Sequence, residues 1–414
     1  MRIVTIDYLA NIPGSKKQIK GGPANFAKYF SAHATKEGHS WIGIVQRMTS
    51  GRRVFLRKLG EKPNCEYVGC FLVSDRIEEF LHAKRTVDPG VYFEAEIDRL
   101  ACFLEEQRAD VVFLNGYSLF SWMVLRAAWK KQIPLVIQHA GILTIEVTLY
   151  KHLYSSAARK MLIDMERDTA RYATKQVFLN EYSREVFQEQ VAPLERARTQ
   201  IIPLPYAETA NASRPLTQVS VDPASSVRIG CVARWDRIKN HNAVLELAKE
   251  IQRQKRPWSI ESVTTIPPTS KFLAFKKAYQ KHIRVTPPMD AEALRAFYRR
   301  MDVLILPSLF DVSPTVVMEA AHEGRLTLIA PQVGWVTEYK AHGLESCIVD
   351  FSNPVNVVKQ LEQALLHTNI RPFQVYMEQH HAPREVFQAY IRLFTELHVY
   401  ANRSTRLKLP TDRT

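Results

Sequence analysis

The sequence predicts an α/β protein built from two doubly wound, Rossmann-like domains that face each other across a cleft. Three observations lead to this prediction. Apolar runs of strand length alternate with amphipathic helical patterns along the whole chain. The 414 residues exceed what a single core usually organises. A polar, Pro- and Ser-containing stretch at 207–226 follows neither periodicity, so it is the best linker candidate.

This linker sets the predicted domain boundaries. We expect an N-terminal domain at 1–206 and a C-terminal domain at 207–383. An amphipathic helical pattern at 384–400 follows the second domain, and we expect this helix to pack back on the first. Because open α/β sheets bind ligands beyond the carboxyl ends of their strands, we expect the functional site in the cleft between the domains.

The individual elements follow from apolar runs and helical periodicity. In the first domain the predicted strands are 3–6, 40–45, 65–73, 111–114, 135–138, 176–179 and 200–203, with helices at 24–35, 94–108 and 155–174. In the second domain the predicted strands are 227–233, 258–263, 283–285, 303–306, 327–330 and 347–349, with helices at 242–252, 270–281, 291–300 and 315–322. This alternation predicts parallel sheets with helices on both faces.

The composition fits two cores and argues against several other classes of protein. Hydrophobic residues make up 46% of the chain, and no apolar stretch reaches the roughly 20 residues of a membrane span. The N-terminus runs directly into a strand pattern without the layout of a signal peptide, so the sequence predicts a cytoplasmic protein. The five cysteines form no C-x-x-C pair, which argues against a zinc site and a disulfide framework.

The positive charge is concentrated in one part of the chain. The net charge is +14. Between residues 11 and 60, Glu37 is the only acidic residue of the sequence. Two interpretations of the segment from Lys16 to Lys58 are left open: a solvated basic face, or a surface for an anionic acceptor or an anionic membrane at its inner face. Nucleic acid is disfavoured as a partner because the sequence has neither zinc-finger spacing nor an RNP-like aromatic box.

The most informative segment follows the apolar run at 303–306. Ser313 is a good N-cap and Pro314 a good first helical residue, so a helix is expected to start there with backbone N–H groups facing outward. A helix start favours a phosphate, whereas the carboxylates of Asp311 and Glu319 suit the hydroxyls of a sugar. Together they indicate a sugar nucleotide as ligand.

Two cations follow the first strand of the second domain. Arg234 and Lys239 lie beyond the strand at 227–233, where a guanidinium and an ammonium suit a diphosphate. The alternative is an ordinary basic loop, and this spacing alone is a weak signal. Arg237, between them, is expected to be solvated. With the acidic segment in the same domain, diphosphate binding is the favoured interpretation.

Two further signals come from the first domain. Gly21 and Gly22 precede a helix, and glycines let the backbone approach an anion closely. His139 follows the strand at 135–138, at a position expected to face the cleft. A lone histidine there is more often a packing or capping residue than a catalytic one. Neither signal indicates a binding site by itself. Each supports one only together with the motifs of the second domain.

In combination, these motifs resemble the group 1 (family 4-like) retaining glycosyltransferases of the GT-B fold, over nearly the whole chain. The matching motifs are the glycine loop at Gly21–Gly22, His139-Ala140-Gly141, the R-x(4)-K pair Arg234 and Lys239, the E-x(7)-E-like pair Asp311 and Glu319, and the small-residue segments at 320–324 and 331–334. The chain departs from the family pattern in having Asp311 where Glu is usual and in lacking Gly-Phe after it.

The resemblance implies transfer of a hexose-type sugar from a UDP- or GDP-sugar to an acceptor hydroxyl, with the anomeric configuration retained. It implies no cofactor and no obligatory metal, and an acceptor that is a glycan or is linked to lipid, in polysaccharide or glycolipid assembly. The residues implied as catalytic are His139, Arg234, Lys239 and Asp311. Those implied to bind the donor are Gly21, Gly22, Arg234, Lys239, Pro288, Met289, Asp311, Ser313, Pro314, Thr315, Val316 and Glu319.

Within these roles, Arg234 and Lys239 would stabilise charge on the leaving diphosphate. Asp311 would contact the sugar hydroxyls, Glu319 the ribose, and His139 the sugar ring or the acceptor. Two alternatives stay open. One is another nucleotide-sugar enzyme of the same fold, either an epimerase or an inverting transferase, and the other is a non-catalytic relative that binds lipid or nucleic acid through its basic face.

Overall fold

The computed structural model describes residues 1–15, 22–206, 222–267 and 273–407, with side chains described up to residue 401. These residues fold as two compact units. Unit 1 comprises Met1–Pro205 and Arg384–Thr414, and unit 2 comprises Tyr206–Pro383. The division after residue 205 lies one residue from the predicted boundary, and the division after residue 383 lies at the predicted position.

Unit 1 is organised by a sheet of eight strands. Their bounds are β1 Arg2–Asp7, β2 Ser40–Thr49, β3 Phe55–Lys62, β4 Cys65–Val73, β5 Val111–Asn115, β6 Leu135–His139, β7 Lys175–Phe178 and β8 Thr199–Ile201. The spatial order is β3-β4-β2-β1-β5-β6-β7-β8, and every pair is parallel except the antiparallel pair β3 and β4. Every residue of β5 and β6 is buried, as expected for central parallel strands covered on both faces.

Helices follow most of these strands, and polar caps fix several of their starts. The helices are α1 Gly22–Lys36, α2 Ser74–Leu81, α3 Pro89–Tyr92, α4 Glu94–Glu106, α5 Leu119–Lys130, α6 Leu143–Leu149, α7 Ser156–Tyr172 and α8 Glu181–Gln190. Ser118 caps α5, Ser155 caps α7, and Asn180 forms a capping box with Ser183 at α8. Each cap satisfies a backbone N–H that has no partner within its helix.

The edge strand β3 was not among the predicted strands. Arg57, Lys58, Glu61 and Lys62 interrupt its apolar residues, and none of its eight residues is buried. An edge strand needs no apolar run because only one of its sides pairs with a neighbour. Its charges also oppose pairing with another chain, which is a common way for natural sheets to protect an edge.

Unit 2 is a second doubly wound sheet, with five parallel strands. They are β9 Arg228–Val232, β10 Ser259–Val263, β11 Arg284–Thr286, β12 Val303–Leu306 and β13 Leu326–Ile329, in the order β11-β10-β9-β12-β13. The helices are α9 His241–Arg253, α10 Leu273–His282, α11 Ala291–Arg300, α12 Thr315–His322, α13 Val336–Ala341, α14 Pro354–His367 and α15 Arg371–His380. The predicted start of α10 at residue 270 lies outside the described residues.

The predicted strand at 347–349 is wrong. A short 3-10 helix, Glu345–Cys347, occupies this position, and Ile348 forms only an isolated bridge with Ile329. Cys347 and Val349 are buried beside β13, with Val349 N donating to Ile329 O at 2.8 Å. Here a short apolar run indicates burial but not a strand. Periodicity alone does not distinguish a buried strand from another buried segment of the same length.

The last helix, α16 Pro383–Leu407, belongs to the core of unit 1. The ring of Phe30 in α1 lies 5.3–5.9 Å from six other aromatic rings. Three of these, Phe387, Tyr390 and Phe394, are on α16. Rings at this separation add packing and quadrupole interactions to the hydrophobic burial, so they hold α1, α16 and the sheet together.

No helix in the described parts of the chain has the length and hydropathy needed to cross a bilayer.

Candidate functional site

The clearest cluster of functional side chains in unit 2 lies beyond the carboxyl ends of β9 and β12. The Lys239 ammonium forms an ion pair with the Asp311 carboxylate, and each side chain is only 16% exposed. Lys239 ends a short 3-10 turn after β9, and Asp311 lies in the loop between β12 and α12. The structure therefore brings together two predicted residues that are 72 positions apart.

The backbone on both sides of this ion pair is held by hydrogen bonds between loops. Leu309 N donates to Ile238 O at 2.8 Å, which joins the turn after β9 to the loop after β12. Asp311 N donates to Gln332 O at 3.2 Å and Asp311 O accepts from Gly334 N at 2.8 Å. Because three loops share these bonds, the ion pair is preorganised before any ligand arrives.

The helix start beside Asp311 differs by one residue from the prediction. Pro314, not Ser313, occupies the N-cap position, and α12 begins at Thr315. The first backbone bond of the helix runs from Val317 N to Pro314 O at 3.3 Å. Pro314 O also accepts from Trp335 Nε1 at 3.2 Å, so this carbonyl has a second donor that the capping rule does not anticipate. Ser313 is buried.

The second acidic residue of the motif is held by a buried tyrosine. Tyr298 in α11 is 1% exposed and donates its hydroxyl proton to Glu319 Oε2 at 2.6 Å. Burial, with the Glu319 carboxylate beside it, raises the pKa of Tyr298 well above its usual value, so this hydroxyl stays a donor. The buried Tyr298 hydroxyl thus orients the Glu319 carboxylate, while Glu319 as a whole remains partly exposed.

A small apolar cluster connects the other predicted donor-binding residues. Met289, from the loop after β11, and Val316, in the first turn of α12, both pack against a core that includes Tyr298 and Leu304. Pro288, the neighbour of Met289, is exposed. The loop after β11 and the first turn of α12, both predicted to bind the donor, therefore rest on the same buried support.

Arg234 is exposed. Its side chain is 73% exposed, with the guanidinium 3.8 Å from Asp236. Its backbone carbonyl accepts from His241 Nε2 at 2.8 Å, and His241 stacks on Trp235 with ring centroids 4.5 Å apart. Burial lowers the pKa of His241, which keeps the ring neutral. The structure thus fixes the backbone of Arg234 and leaves its guanidinium in solvent.

In unit 1, Gly21 lies outside the described residues and Gly22 is the first residue of α1. The start of this helix is tied to two strand ends. Asn115, the last residue of β5, donates to Pro23 O at 2.6 Å. Asn11, beyond β1, donates to Ala24 O at 3.2 Å. Side-chain amides therefore hold the helix start at the carboxyl edge of the sheet.

His139 does not have the exposed position predicted for it. It is the last residue of β6, its side chain is 0% exposed, and its ring lies 4.6 Å from both Phe178 and Phe187. Its Nε2 atom is 3.1 Å from Gln176 Oε1. A side chain without exposed surface cannot touch a ligand in this conformation. The packing interpretation, weighed against the catalytic one in the sequence, fits this environment.

The burial of His139 predicts a pH-dependent stability. Burial lowers its pKa to about 4 from the ordinary 6.5, so the unfolded chain binds a proton at a pH where the folded chain does not. The free energy of unfolding should therefore fall as the pH is lowered below 6.5, by about 1 kcal/mol between pH 7 and pH 5.5 from this residue. Urea unfolding of the wild type and His139→Gln at both pH values measures it. An unchanged pH dependence in the variant would contradict the prediction.

Within the described ranges, no group of three or more His, Cys, Asp or Glu side chains is placed to hold a metal ion.

Three residues that sequence reasoning gave no role contribute to the unit 2 cluster: Tyr298, Trp335 and His241. Tyr298 and Trp335 each contact a residue 21 positions away, so no local pattern marks them. His241 acts on the backbone carbonyl of Arg234, seven positions before it. The cluster as a whole offers an ammonium, a guanidinium, two carboxylates and a helix start. Such a set can bind a diphosphate and the hydroxyls of attached sugars.

Comparison with known proteins supports this chemistry. Residues 226–367, all in unit 2, match the family model described as Glycosyl transferases group 1. No curated protein sequence matches the chain significantly.

Solved structures match nearly the whole chain. It is similar to a sucrose-phosphate synthase from Thermosynechococcus elongatus, with a TM-score of 0.69, 12% identity, and coverage of 96% of this chain and 99% of that one. It is similar to trehalose-6-phosphate from E. coli bound with UDP-2-fluoro glucose (TM-score 0.64, 13% identity, coverage 96% and 99%). A UDP-forming α,α-trehalose-phosphate synthase from Burkholderia xenovorans in complex with glucose-6-phosphate is also similar (TM-score 0.61, 13% identity, coverage 95% and 99%).

At these identities, the solved structures establish the fold, and the family model carries the biochemical assignment. The chain therefore has the GT-B fold, and unit 2 contains a domain that matches the group 1 glycosyltransferase family. The fold class and the family resemblance predicted from the sequence are confirmed.

Proposed function

We propose that the protein is a retaining glycosyltransferase that moves a hexose-type sugar from a UDP- or GDP-sugar to an acceptor hydroxyl. The observation that carries this proposal is the ion pair between Lys239 and Asp311 beside the start of α12. It joins the predicted phosphate-binding cation to the predicted sugar-binding carboxylate in one preorganised arrangement. The group 1 domain in the same unit supports it.

In the proposed reaction, the bond between the anomeric carbon and the phosphate oxygen of the donor breaks. The acceptor oxygen bonds to the same face of that carbon, and the departing phosphate oxygen takes the acceptor proton. Lys239 and Arg234 stabilise the charge that grows on the diphosphate, which is the role a metal plays in other transferases. This scheme requires neither a protein base nor a metal ion.

The Lys239 ion pair has a further consequence for donor binding. Asp311 neutralises the Lys239 ammonium, so a bound diphosphate would share this cation with the carboxylate or displace the carboxylate. An aspartate side chain is one methylene shorter than the glutamate usual in the family. Asp311 is thus proposed to orient Lys239 as well as to contact the donor sugar, while Glu319 accepts the ribose hydroxyls.

The acceptor is proposed to be a glycan or a lipid-linked molecule, with a role in polysaccharide or glycolipid assembly. The basic residues between positions 11 and 60 support an anionic acceptor. One structural neighbour was solved with glucose-6-phosphate, so a phosphate-bearing sugar belongs in the acceptor panel. Residence in the cytoplasm, and peripheral binding at the inner membrane face, stay predictions of the sequence.

A donor panel with NMR analysis of the product tests the proposal. Turnover of one UDP- or GDP-sugar should give a glycoside with the donor's anomeric configuration, at the same rate with and without EDTA. An inverted product would identify an inverting transferase, and conversion of the donor without transfer would identify an epimerase. Absence of both turnover and thermal stabilisation by every nucleotide sugar would instead identify a non-catalytic relative.

Removal of the Tyr298 hydroxyl should weaken donor binding. In Tyr298→Phe, Glu319 loses the donor that fixes its carboxylate, so its contact with the ribose becomes less ordered. Because this contact is made equally in the ground state and the transition state, we expect KM for the donor to rise about 3- to 10-fold with kcat little changed.

Steady-state kinetics of matched variants check this prediction. Tyr339→Phe is the control, because Tyr339 is also a buried tyrosine of unit 2 and donates to the backbone carbonyl of Thr327 at 3.0 Å. We expect its KM to equal that of the wild type. The same rise in both variants would mean that the Tyr298 hydroxyl contributes only to stability.

A further inference from the structure

The carboxyl edge of the unit 1 sheet carries exposed cations and exposed apolar side chains together. The connection at 50–54 leads from the end of β2 to the start of β3, and Arg52 and Arg53 in it are exposed. Met48, near the end of β2, is 45% exposed, and Phe55, at the start of β3, is 42% exposed. Large exposed apolar side chains are not expected among the charges of a basic surface that contacts only solvent.

The strand register places several of these residues side by side. Phe71 of β4 pairs directly with Phe55 on one side and with Arg47 of β2 on the other. Directly paired residues share one face of a sheet. The rings of Phe55 and Phe71 stack with centroids 4.5 Å apart, and the Arg57 guanidinium lies 5.8 Å from the Phe71 ring. We call Arg47, Arg52, Arg53, Phe55 and Arg57 the edge surface.

The arginines of the edge surface differ in their ion pairing from the neighbouring Lys58. Lys58, next to this surface, pairs with Glu61 at 2.5 Å and with Glu66 at 4.0 Å. By contrast, none of the four arginines of the edge surface has a carboxylate within 4.0 Å among the described residues. Four neighbouring charges of one sign create a local positive potential that an external anionic partner would neutralise.

We propose that the edge surface docks unit 1 on an anionic lipid bilayer. Arginines next to an aromatic ring suit the headgroup region, where phosphates and acyl chains are both within reach. Met48 follows Arg47 in β2, so its side chain points to the opposite face of the sheet. Apolar side chains on both faces of this end of the sheet fit insertion among lipid headgroups. Such docking does not depend on glycosyl transfer.

Vesicle sedimentation tests the proposal with the full chain. Wild type should bind phosphatidylcholine vesicles that contain phosphatidylserine and should not bind vesicles of phosphatidylcholine alone. Arg52→Glu combined with Arg53→Glu should weaken binding by roughly 30-fold or more, because each basic residue contributes about a fivefold factor near such a surface. Lys84→Glu combined with Arg85→Glu is the control, since these are also adjacent exposed cations of unit 1 and the charge change is the same.

A second variant keeps the test decisive if charge reversal disturbs folding. Phe55→Ser leaves every charge in place and should still weaken binding about 3- to 10-fold, most clearly at high salt where the charges are screened. Three results would overturn the proposal: no binding of wild type to the anionic vesicles, equal loss in the edge-surface and control variants, or binding that single-stranded DNA abolishes while Phe55→Ser leaves it unchanged.

Discussion

Lys239→Ala should lose about 100- to 1,000-fold in kcat for sugar transfer, the usual effect of removing one group that stabilises transition-state charge. The reason is the position of the ammonium, which is largely buried and held by Asp311 beside the start of α12. The variant removes the cation and leaves the Asp311 carboxylate near the place where the diphosphate charge develops. Initial rates at saturating donor measure the effect.

Arg237→Ala is the matched control for this prediction. Arg237 lies in the same 3-10 turn as Lys239 and is exposed. Its removal changes the net charge of the protein by the same amount, so a general electrostatic effect would appear in both variants. We expect Arg237→Ala to keep kcat within about twofold of the wild type. Full turnover by Lys239→Ala, with an unfolding midpoint like that of the wild type, would contradict the proposed role.

Phe30→Ala should destabilise unit 1 by about 3–5 kcal/mol, the range for removal of a fully buried phenylalanine. Phe30 is 0% exposed and contacts rings from the sheet and from α16. Loss of its ring leaves a cavity between α1 and α16, and the surrounding rings relax only in part. Urea unfolding followed by tryptophan fluorescence measures the change.

Tyr29→Ala provides the comparison within the same helix. Tyr29 is adjacent to Phe30 in α1 and is 50% exposed, so its removal creates no cavity. We expect a cost below about 1 kcal/mol. Comparable costs at the two positions would mean that the aromatic cluster does not anchor α16 to unit 1.

Sequence patterns predicted the parts of the fold that depend on continuous burial. Central strands such as β5 and β12 are fully buried, and their apolar runs stand out for that reason. The pair Lys239 and Asp311 was also predicted as part of one site, because both follow strands of the same parallel sheet and such strand ends meet at one edge.

The remaining features depend on contacts that a local pattern does not contain. The edge strand β3 lacks an apolar run because half of its residues are charged. His139 has the sequence position of a ligand-facing residue, but Phe178 and Phe187 enclose its ring. Tyr298 holds Glu319 from a different helix, 21 positions away, and nothing near either residue in the sequence signals that contact.

We propose that unit 2 binds a nucleotide diphosphate sugar through Lys239, Asp311 and Glu319. Calorimetric titration of UDP, GDP and ADP into wild type, Glu319→Gln and Arg237→Ala tests it most directly. We expect saturable binding of UDP or GDP to the wild type and to Arg237→Ala, with affinity at least about tenfold weaker in Glu319→Gln. Absence of binding by every nucleoside diphosphate, or equal affinity in all three proteins, would contradict it.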